Sequence, residues 1–210
     1  MNARHSAGRQ IVILCEGDTE EIVVRHFLRR QWSVEGLNQV GLHADNLQGS
    51  LNRIGAKASL FLDDDNVLGV FTLVDLYGCT QIKHEDNDEI GTKVIRIQEW
   101  LRSCVKNARV DRFHPHVSVP EVEALILAEG AALTARLSTQ VAPDPNAEMK
   151  NFLKPPSKRL DELFRAYKHR NYHKIIDGTP LFQKMQFDPV YQSCRYFRTF
   201  VDKLKEVAQV

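Results

Sequence analysis

The chain is short of several things that would narrow its chemistry at once. Four cysteines in 210 residues, Cys15, Cys79, Cys104 and Cys194, stand far apart with no paired-ligand spacing. That excludes a zinc knot and a disulfide framework, and predicts reduced thiols. No apolar run approaches the roughly 20 residues needed to cross a bilayer, and Met1 to Gln10 is polar, without the hydrophobic stretch of a signal peptide. The expectation is a cytoplasmic protein with no membrane partner. Neither a Walker loop nor a GxGxxG element is present, which argues against nucleotide hydrolysis or phosphotransfer. Internal repeats and low-complexity tracts are missing as well.

Net charge is also scarce, at +1 from 28 bases and 27 acids, yet the charges are segregated. From Asp63 to Glu89 there are eight acids (Asp63, Asp64, Asp65, Asp75, Glu85, Asp86, Asp88, Glu89) against one base, Lys83. From Lys154 to Lys174 there are seven bases (Lys154, Lys158, Arg159, Arg165, Lys168, Arg170, Lys174) against Asp161 and Glu162, with Phe164, Tyr167 and Tyr172 interleaved. Such runs are commonly solvated helix faces; an acidic centre with a basic flank also suits a metal-bound phosphate.

Hydrophobic residues at 43% and charged ones at 26% are the proportions of an ordinary folded domain. Ile11-Val12-Ile13-Leu14-Cys15 and Gly69-Val70-Phe71-Thr72-Leu73-Val74 are apolar without alternation, as expected of strands buried on both faces of a parallel sheet. Between and after them the spacing predicts a helix from Gly17-Asp18-Thr19 through Leu28, a strand over Leu37 to His43 and a helix over Ser50 to Phe61. A long helix striped by Ile90, Val94, Ile97, Leu101 and Val105 follows, then a strand through Val110 to Val119. This βαβαβαβ order predicts an α/β fold, a small, mainly parallel sheet flanked by helices, over residues 1–140. After the punctuation Val141-Ala142-Pro143-Asp144-Pro145-Asn146, residues 141–210 read as a helical C-terminal extension packed on that domain. Ser157 is the expected cap of a helix over Lys158 to Tyr167, and Phe197, Phe200, Val201 and Leu204 stripe the last helix.

Both buried runs end on an acid, Glu16 and Asp75, and ligands of parallel sheets collect beyond the carboxyl ends of the strands. Glu20 follows Glu16 by about one helical turn, with Gly17 permitting a tight turn between them. Glu121 and Glu123 follow the expected strand through Val119 and open the apolar helix Ala124 to Ala128. On a helix the two lie about 200° apart, so both meet one cation only if Glu121 ends the strand and Glu123 starts the helix. First-turn helix charge alone also accounts for acids at these places. Hard divalent cations take a few carboxylates and keep waters and substrate phosphates, so Glu16, Glu20, Asp75, Glu121 and Glu123 form a candidate Mg2+ or Mn2+ site. His114 and His116 would share one strand face as proton carriers or phosphate contacts, or else as plain surface residues. Asp63-Asp64-Asp65 lacks calcium-loop spacing and reads as a solvated turn, and Cys15 as a buried thiol with no activating base.

The segment Glu16-Gly17-Asp18-Thr19-Glu20 after the first strand (EGxTE) and Asp75 after a later one resemble the toprim fold shared by topoisomerases, primases and the overcoming-lysogenization-defect nucleases. Val74-Asp75-Leu76-Tyr77-Gly78, Glu121-Val122-Glu123-Ala124-Leu125 and Pro156-Ser157-Lys158-Arg159 further resemble an uncharacterised bacterial family of toprim-like proteins encoded near ATPases. The resemblance implies a catalytic role for Glu16 as general acid or base and for Asp75 as the first acid of a magnesium-binding DxD motif. Tyr77 stands where that motif has its second aspartate.

Residues and resemblance together lead to an expected metal-dependent phosphodiesterase, a nuclease for DNA or RNA in a bacterial defence or repair system, with an ATPase as possible partner. Its Mg2+ or Mn2+ would be held by Glu16, Glu20, Asp75, Glu121 and Glu123. Lys158 and Arg159 would bind phosphate, with Tyr77, His114 and His116 as secondary candidates. The alternative is a non-catalytic toprim-like adaptor that binds nucleic acid or the ATPase.

Overall fold

The computed structural model describes residues 8–82, 88–149 and 154–209. Lys83, Glu85, Asp86 and the start of the polar leader lie outside the described residues. Four parallel ladders build one sheet from β1 (Gln10–Cys15), β2 (Gly41–Asn46), β3 (Val67–Asp75), β4 (Phe113–His114) and β5 (Val117–Ser118). The order is β2-β1-β3-β4, with β5 continuing the edge along β3. The chain therefore reverses its direction of winding between β1 and β3, the place where such sheets open a crevice at their carboxyl ends.

The apolar runs form central strands because both their faces are covered. Ile11, Ile13, Phe71 and Leu73 point into one layer with Phe27, Phe182, Phe197 and Phe200, while Val12, Leu14, Val70 and Val74 point into the other with Ile54, Leu62, Ile97 and Leu101. The second layer is closed by α3 (Ile54–Leu62) and α4 (Ile90–Cys104). The first is closed by α1 (Asp18–Ile22), a π-helical stretch (Val23–Leu28) leading into α2 (Arg29–Val34), α5 (Ala124–Glu129), α6 (Ala131–Leu137), α7 (Pro156–Lys168), α8 (Lys174–Lys184), α9 (Phe187–Ser193) and α10 (Arg195–Ala208). The stripe Phe197, Phe200, Val201 and Leu204 is buried as its spacing predicts, and α10 packs on β1, β3 and β5. More important for function, α8 lies against α1. Among the described residues no helix is long and apolar enough to cross a membrane.

Local differences from the expected elements have local causes. The second strand starts at Gly41 rather than Leu37, because the residues before it turn back through Val40 N–H to Leu37 O. Pro115 breaks the expected strand over 110–119 into β4 and β5, since it cannot donate to the ladder. Thr72 bridges the break: its Oγ1 donates to His116 O at 2.9 Å and accepts from His116 N at 2.9 Å. Ser157 does not cap its helix; α7 begins at Pro156 behind Pro155, a place where proline costs no hydrogen bond. As expected, Asp63 to Asp65 form a turn, held by Asn107 and Arg109.

Candidate functional site

Register sets the acids side by side. Cys15 pairs with Leu73 and Asp75 with Ser118, so Glu16, Asp75 and the chain leaving β5 emerge on one edge of the sheet. The Glu16 carboxylate turns across to β3, where its Oε2 accepts from Asp75 N at 2.9 Å. It rests against Gly78, at which a Cβ would stand 2.2 Å from Glu16 Oε1. The glycine of Val74-Asp75-Leu76-Tyr77-Gly78 thus leaves room for the Glu16 carboxylate in its present position, and a larger residue there would push that carboxylate aside. Glu20 Oε2 accepts from Gly17 N at 2.9 Å and closes the first turn of α1. The arrangement in which Glu121 ends the strand and Glu123 starts the helix is met only for Glu123, since β5 stops at Ser118 and Glu121 follows in the connecting segment. Glu121 accepts from Ser157 N at 3.0 Å and Ser157 Oγ at 3.2 Å, while Glu123, fully buried just before α5, meets Lys174 Nζ at 3.2 Å.

Lys174 enters the site from the tertiary structure and was no candidate on sequence grounds. It starts α8, and with Tyr172, His173 and Ile175 it lines a cleft of about 510 Å³ whose other walls include Glu16, Glu20 and Asp75. Its only sequence signal was membership of the basic run, which says nothing of where the run folds. Burial opposes its charge, but Glu123, Asp75 and Glu121 more than offset that and hold the ammonium above the ordinary lysine range.

The acids carry the opposite strain. Burial, then the charges of Glu20, Glu123, Glu16 and Glu121, raise the Asp75 carboxyl well above the usual carboxylate range. Burial also raises Glu16 and Glu123, and burial followed by Glu123 and Glu16 pushes Glu20 up to about 7. Among the described residues three buried side-chain oxygens of this group lack a hydrogen-bond partner, Asp75 Oδ1, Glu123 Oε2 and Tyr172 Oη, while Glu123 Oε1 has only its ion pair with Lys174. Unmade bonds concentrated in one place point to a ligand position, because each costs about 1–3 kcal/mol. The oxygen donors are of the hard type that Mg2+ and Mn2+ favour. They do not converge on one point: among the described residues no three acidic, histidine or cysteine side chains come together closely enough to hold an ion. The reason is visible in the contacts, since Glu16, Glu20 and Glu121 are engaged by Asp75, Gly17 and Ser157, and Glu123 by Lys174.

A pH dependence follows. Raised carboxyl pKa values mean that stability is fully present below the ordinary carboxylate pKa and is lost as pH rises through the folded value. The metal-free protein is therefore expected to lose a few kcal/mol between about pH 4.5 and about 7 through Glu20. Urea unfolding across that range, repeated on Glu20→Gln, tests this. The amide can still accept from Gly17, so the slope should flatten while the fold remains.

The remaining candidates lie elsewhere. Lys158 and Arg159 are exposed on α7, and Arg159 pairs with Glu162 at 3.3 Å and lines a separate hollow of about 250 Å³ with Leu127, Asp144, Lys154 and Pro156. Tyr77 packs against the α3 and α4 side of the core. The surface reading fails for His116, which is 9% exposed and stacks on Phe200 at 4.5 Å, whereas His114 is half-buried against Phe71 at 4.8 Å. Burial pulls His116 down to about 3, and burial with Lys203 brings His114 to about 4, so both are neutral at pH 7.

A sequence profile described as Domain of unknown function (DUF4276) matches residues 15–205. The chain belongs to the DUF4276 family. That match begins one residue before Glu16 and spans every acid of the cleft. No curated protein matches this DUF4276 chain. Among solved structures, the C-terminal region of the Burkholderia pseudomallei OLD protein is similar with a TM-score of 0.52 at 15% identity, over 96% of this chain and 98% of that one. The corresponding region of the Xanthomonas campestris pv. campestris OLD protein gives a TM-score of 0.40 at 14% identity, over 93% and 97% of the two chains. The first likeness establishes a shared fold, a mainly parallel sheet flanked by helices with further helices at the C-terminal end, as the strand and helix patterning predicts.

Proposed function

We propose that this DUF4276 chain is a metal-dependent phosphodiesterase, a nuclease acting on DNA or RNA. The observation that carries the reading is Asp75 Oδ1, an oxygen sealed at the end of the central strand without a hydrogen-bond partner and surrounded by four further carboxylates. A buried acid so placed is stable only when protonated or when a cation joins it.

Asp75, Glu123 and Glu16 would hold Mg2+ or Mn2+ once Glu16 swings off the Asp75 amide and Glu123 off Lys174, with Glu20 direct or through water and Glu121 bracing the segment from behind. When bound, such an ion polarises a phosphoryl oxygen and lowers the pKa of an attacking water. Glu16, partly exposed and raised toward neutrality, suits a general acid or base beside it. Lys174, half exposed at the cleft wall, is placed to meet a phosphate oxygen, a task expected from sequence of Lys158 and Arg159. Those two remain candidates for the flanking backbone of a longer nucleic acid. Service in a bacterial defence or repair system beside an ATPase belongs to the same proposal and rests on the motif resemblance.

A second reading, the non-catalytic adaptor for nucleic acid or an ATPase, is favoured by Tyr77 at the place of a second aspartate. Incubation with plasmid, single-stranded DNA and RNA in Mg2+ or Mn2+ separates the two. The nuclease reading expects cleavage that EDTA stops and that Glu16→Ala and Asp75→Ala remove. Cleavage unchanged in both variants, or nucleic-acid binding with no cleavage and no metal uptake by calorimetry, would sink it.

A further inference from the structure

We infer that the turn joining α7 to α8, from Arg165 to Ile176, is a landing surface that selects single-stranded over duplex nucleic acid. The inference rests on the nucleic-acid reading above, names the form of the substrate, and requires no metal.

The turn is part of the cleft wall. Tyr172, His173, Lys174 and Ile175 line the cleft together with Glu16, Glu20 and Asp75, so a strand that reaches those acids also touches the turn. Every side chain from Arg165 to Ile176 except Tyr172 is exposed. Of the seven large hydrophobic side chains exposed among the described residues, three flank this turn: Tyr167 at 49%, Ile175 at 47% and Ile176 at 61%. Apolar residues scattered singly over a surface need no explanation, but a group of them at the mouth of a polar cleft marks an interaction site.

The turn is held rigid. Asp177, one turn into α8 and sealed from solvent, accepts from His173 N at 2.9 Å. Arg170 reaches it with both guanidinium nitrogens at 2.6 Å, and Arg136 of α6 adds a third contact at 2.8 Å. This clamp seats Lys174 and ties α8 to α6 and to the end of α7. The exposed side chains are therefore presented on fixed backbone, which lowers the ordering cost of binding.

Charge says where a phosphate can sit. From Lys154 to Asp177 seven bases stand against Asp161, Glu162 and Asp177. Lys154 and Arg159 are engaged by Glu162, Arg165 by Asp161, Arg170 by Asp177, and Lys174 by Glu123. Lys158 and Lys168 have no ion pair among the described residues, and both are exposed on α7. The cleft itself opposes an anion, because Glu16, Glu20, Asp75 and Glu121 lie there beside Glu123. Phosphate contact therefore falls to the outer rim at Lys168, in the last turn of α7, and the apolar side chains carry the discrimination. A duplex shows a protein mainly phosphates and sugars outside its grooves, which offer Tyr167 and the isoleucines nothing to cover. A single strand turns out the faces of its bases, which stack on tyrosine and pack on aliphatic carbon.

The test is fluorescence anisotropy in EDTA, where nothing is cut, with labelled single strands of about 20 nucleotides, DNA and RNA, and the matching duplex. Wild type should bind the single strands about tenfold more tightly than the duplex. The double variant Tyr167→Ala/Ile176→Ser should lose most of that preference, with duplex binding, salt dependence and melting temperature unchanged. Lys168→Glu should weaken both forms and flatten the salt dependence, while Lys106→Glu, the same charge change in the connection that enters β4, should do neither. Duplex bound as tightly as single strands, or a wild-type preference in the double variant, overturns the inference. Binding to phosphatidylserine vesicles with no oligonucleotide bound also overturns it and makes the turn a membrane contact. Cleavage in Mg2+ or Mn2+ scores the nuclease reading separately. Selective binding without cleavage removes that reading and leaves the landing surface; cleavage with the preference unaltered in the double variant removes the landing surface alone.

Discussion

Asp75→Asn should lower metal-dependent cleavage by about a thousandfold while raising the melting temperature of the metal-free protein. The two effects have one cause. Asparagine keeps the size of aspartate and a carbonyl acceptor at the end of β3, so the ladder to Ser118 and the amide bond to Glu16 Oε2 survive. What disappears is a negative charge that burial and four neighbouring glutamates disfavour. Without a metal that charge only destabilises, so its removal should add on the order of 1–2 kcal/mol and raise the melting temperature by a few °C for a chain of this size. With a metal it is the unsatisfied oxygen on which the proposed site depends. Parallel assays of cleavage and thermal unfolding check the pair. A variant that lost activity and also melted lower would place Asp75 among ordinary structural residues and remove the main support for the nuclease reading.

Asp177→Ala should be the most damaging single change outside the core, at about 3–5 kcal/mol. The carboxylate is fully buried, and its loss strands Arg170, Arg136 and the His173 amide together. On the scale of roughly 2–4 °C per kcal/mol for a domain of this size, melting should fall by about 10 °C. Urea denaturation of wild type and variant gives the number directly; a loss below about 1 kcal/mol would show that the clamp is decorative. The pH behaviour runs opposite to that of Glu20. Although burial works against it, Arg170, Arg136 and the His173 amide hold Asp177 at about 2, below its ordinary value. Its contribution is therefore present above about pH 4 and is lost as pH falls toward 2. Acid unfolding should start at higher pH in a variant that keeps the carboxyl but weakens the clamp, such as Arg170→Gln. Because the clamp seats Lys174, such a variant should also loosen the contact with Glu123.

Much of this protein is readable without coordinates, and the reason is that the signals are local. Ile11 to Cys15 and Gly69 to Val74 announce strands covered on both faces because every position in them is apolar or small, and their side chains do divide between two core layers. Helix periodicity locates α4 and α10 for the same reason. An acid at the end of such a strand necessarily sits at the sheet's carboxyl edge, so Glu16 and Asp75 become neighbours once the strands are parallel and adjacent. Where local signals compete the reading slips. Pro115 divides a segment that apolar content alone makes continuous. His114 and His116 alternate as exposed residues would, yet Phe200 of α10 covers His116 and leaves His114 half-buried.

Residues within a few positions of one another suffice to specify the covered parallel strands, the carboxylates at their ends and the turn between Glu16 and Glu20. Long-range packing chose the rest: which acid is left without a hydrogen-bond partner, that Glu121 is taken by Ser157 while Glu123 faces Lys174, and that the cation in the cleft comes from the start of α8 rather than from Lys158 and Arg159. Those choices are made by the packing of α8 on α1 and by the Asp177 clamp, contacts between segments far apart in the chain, for which hydrophobic spacing and charge runs carry no address.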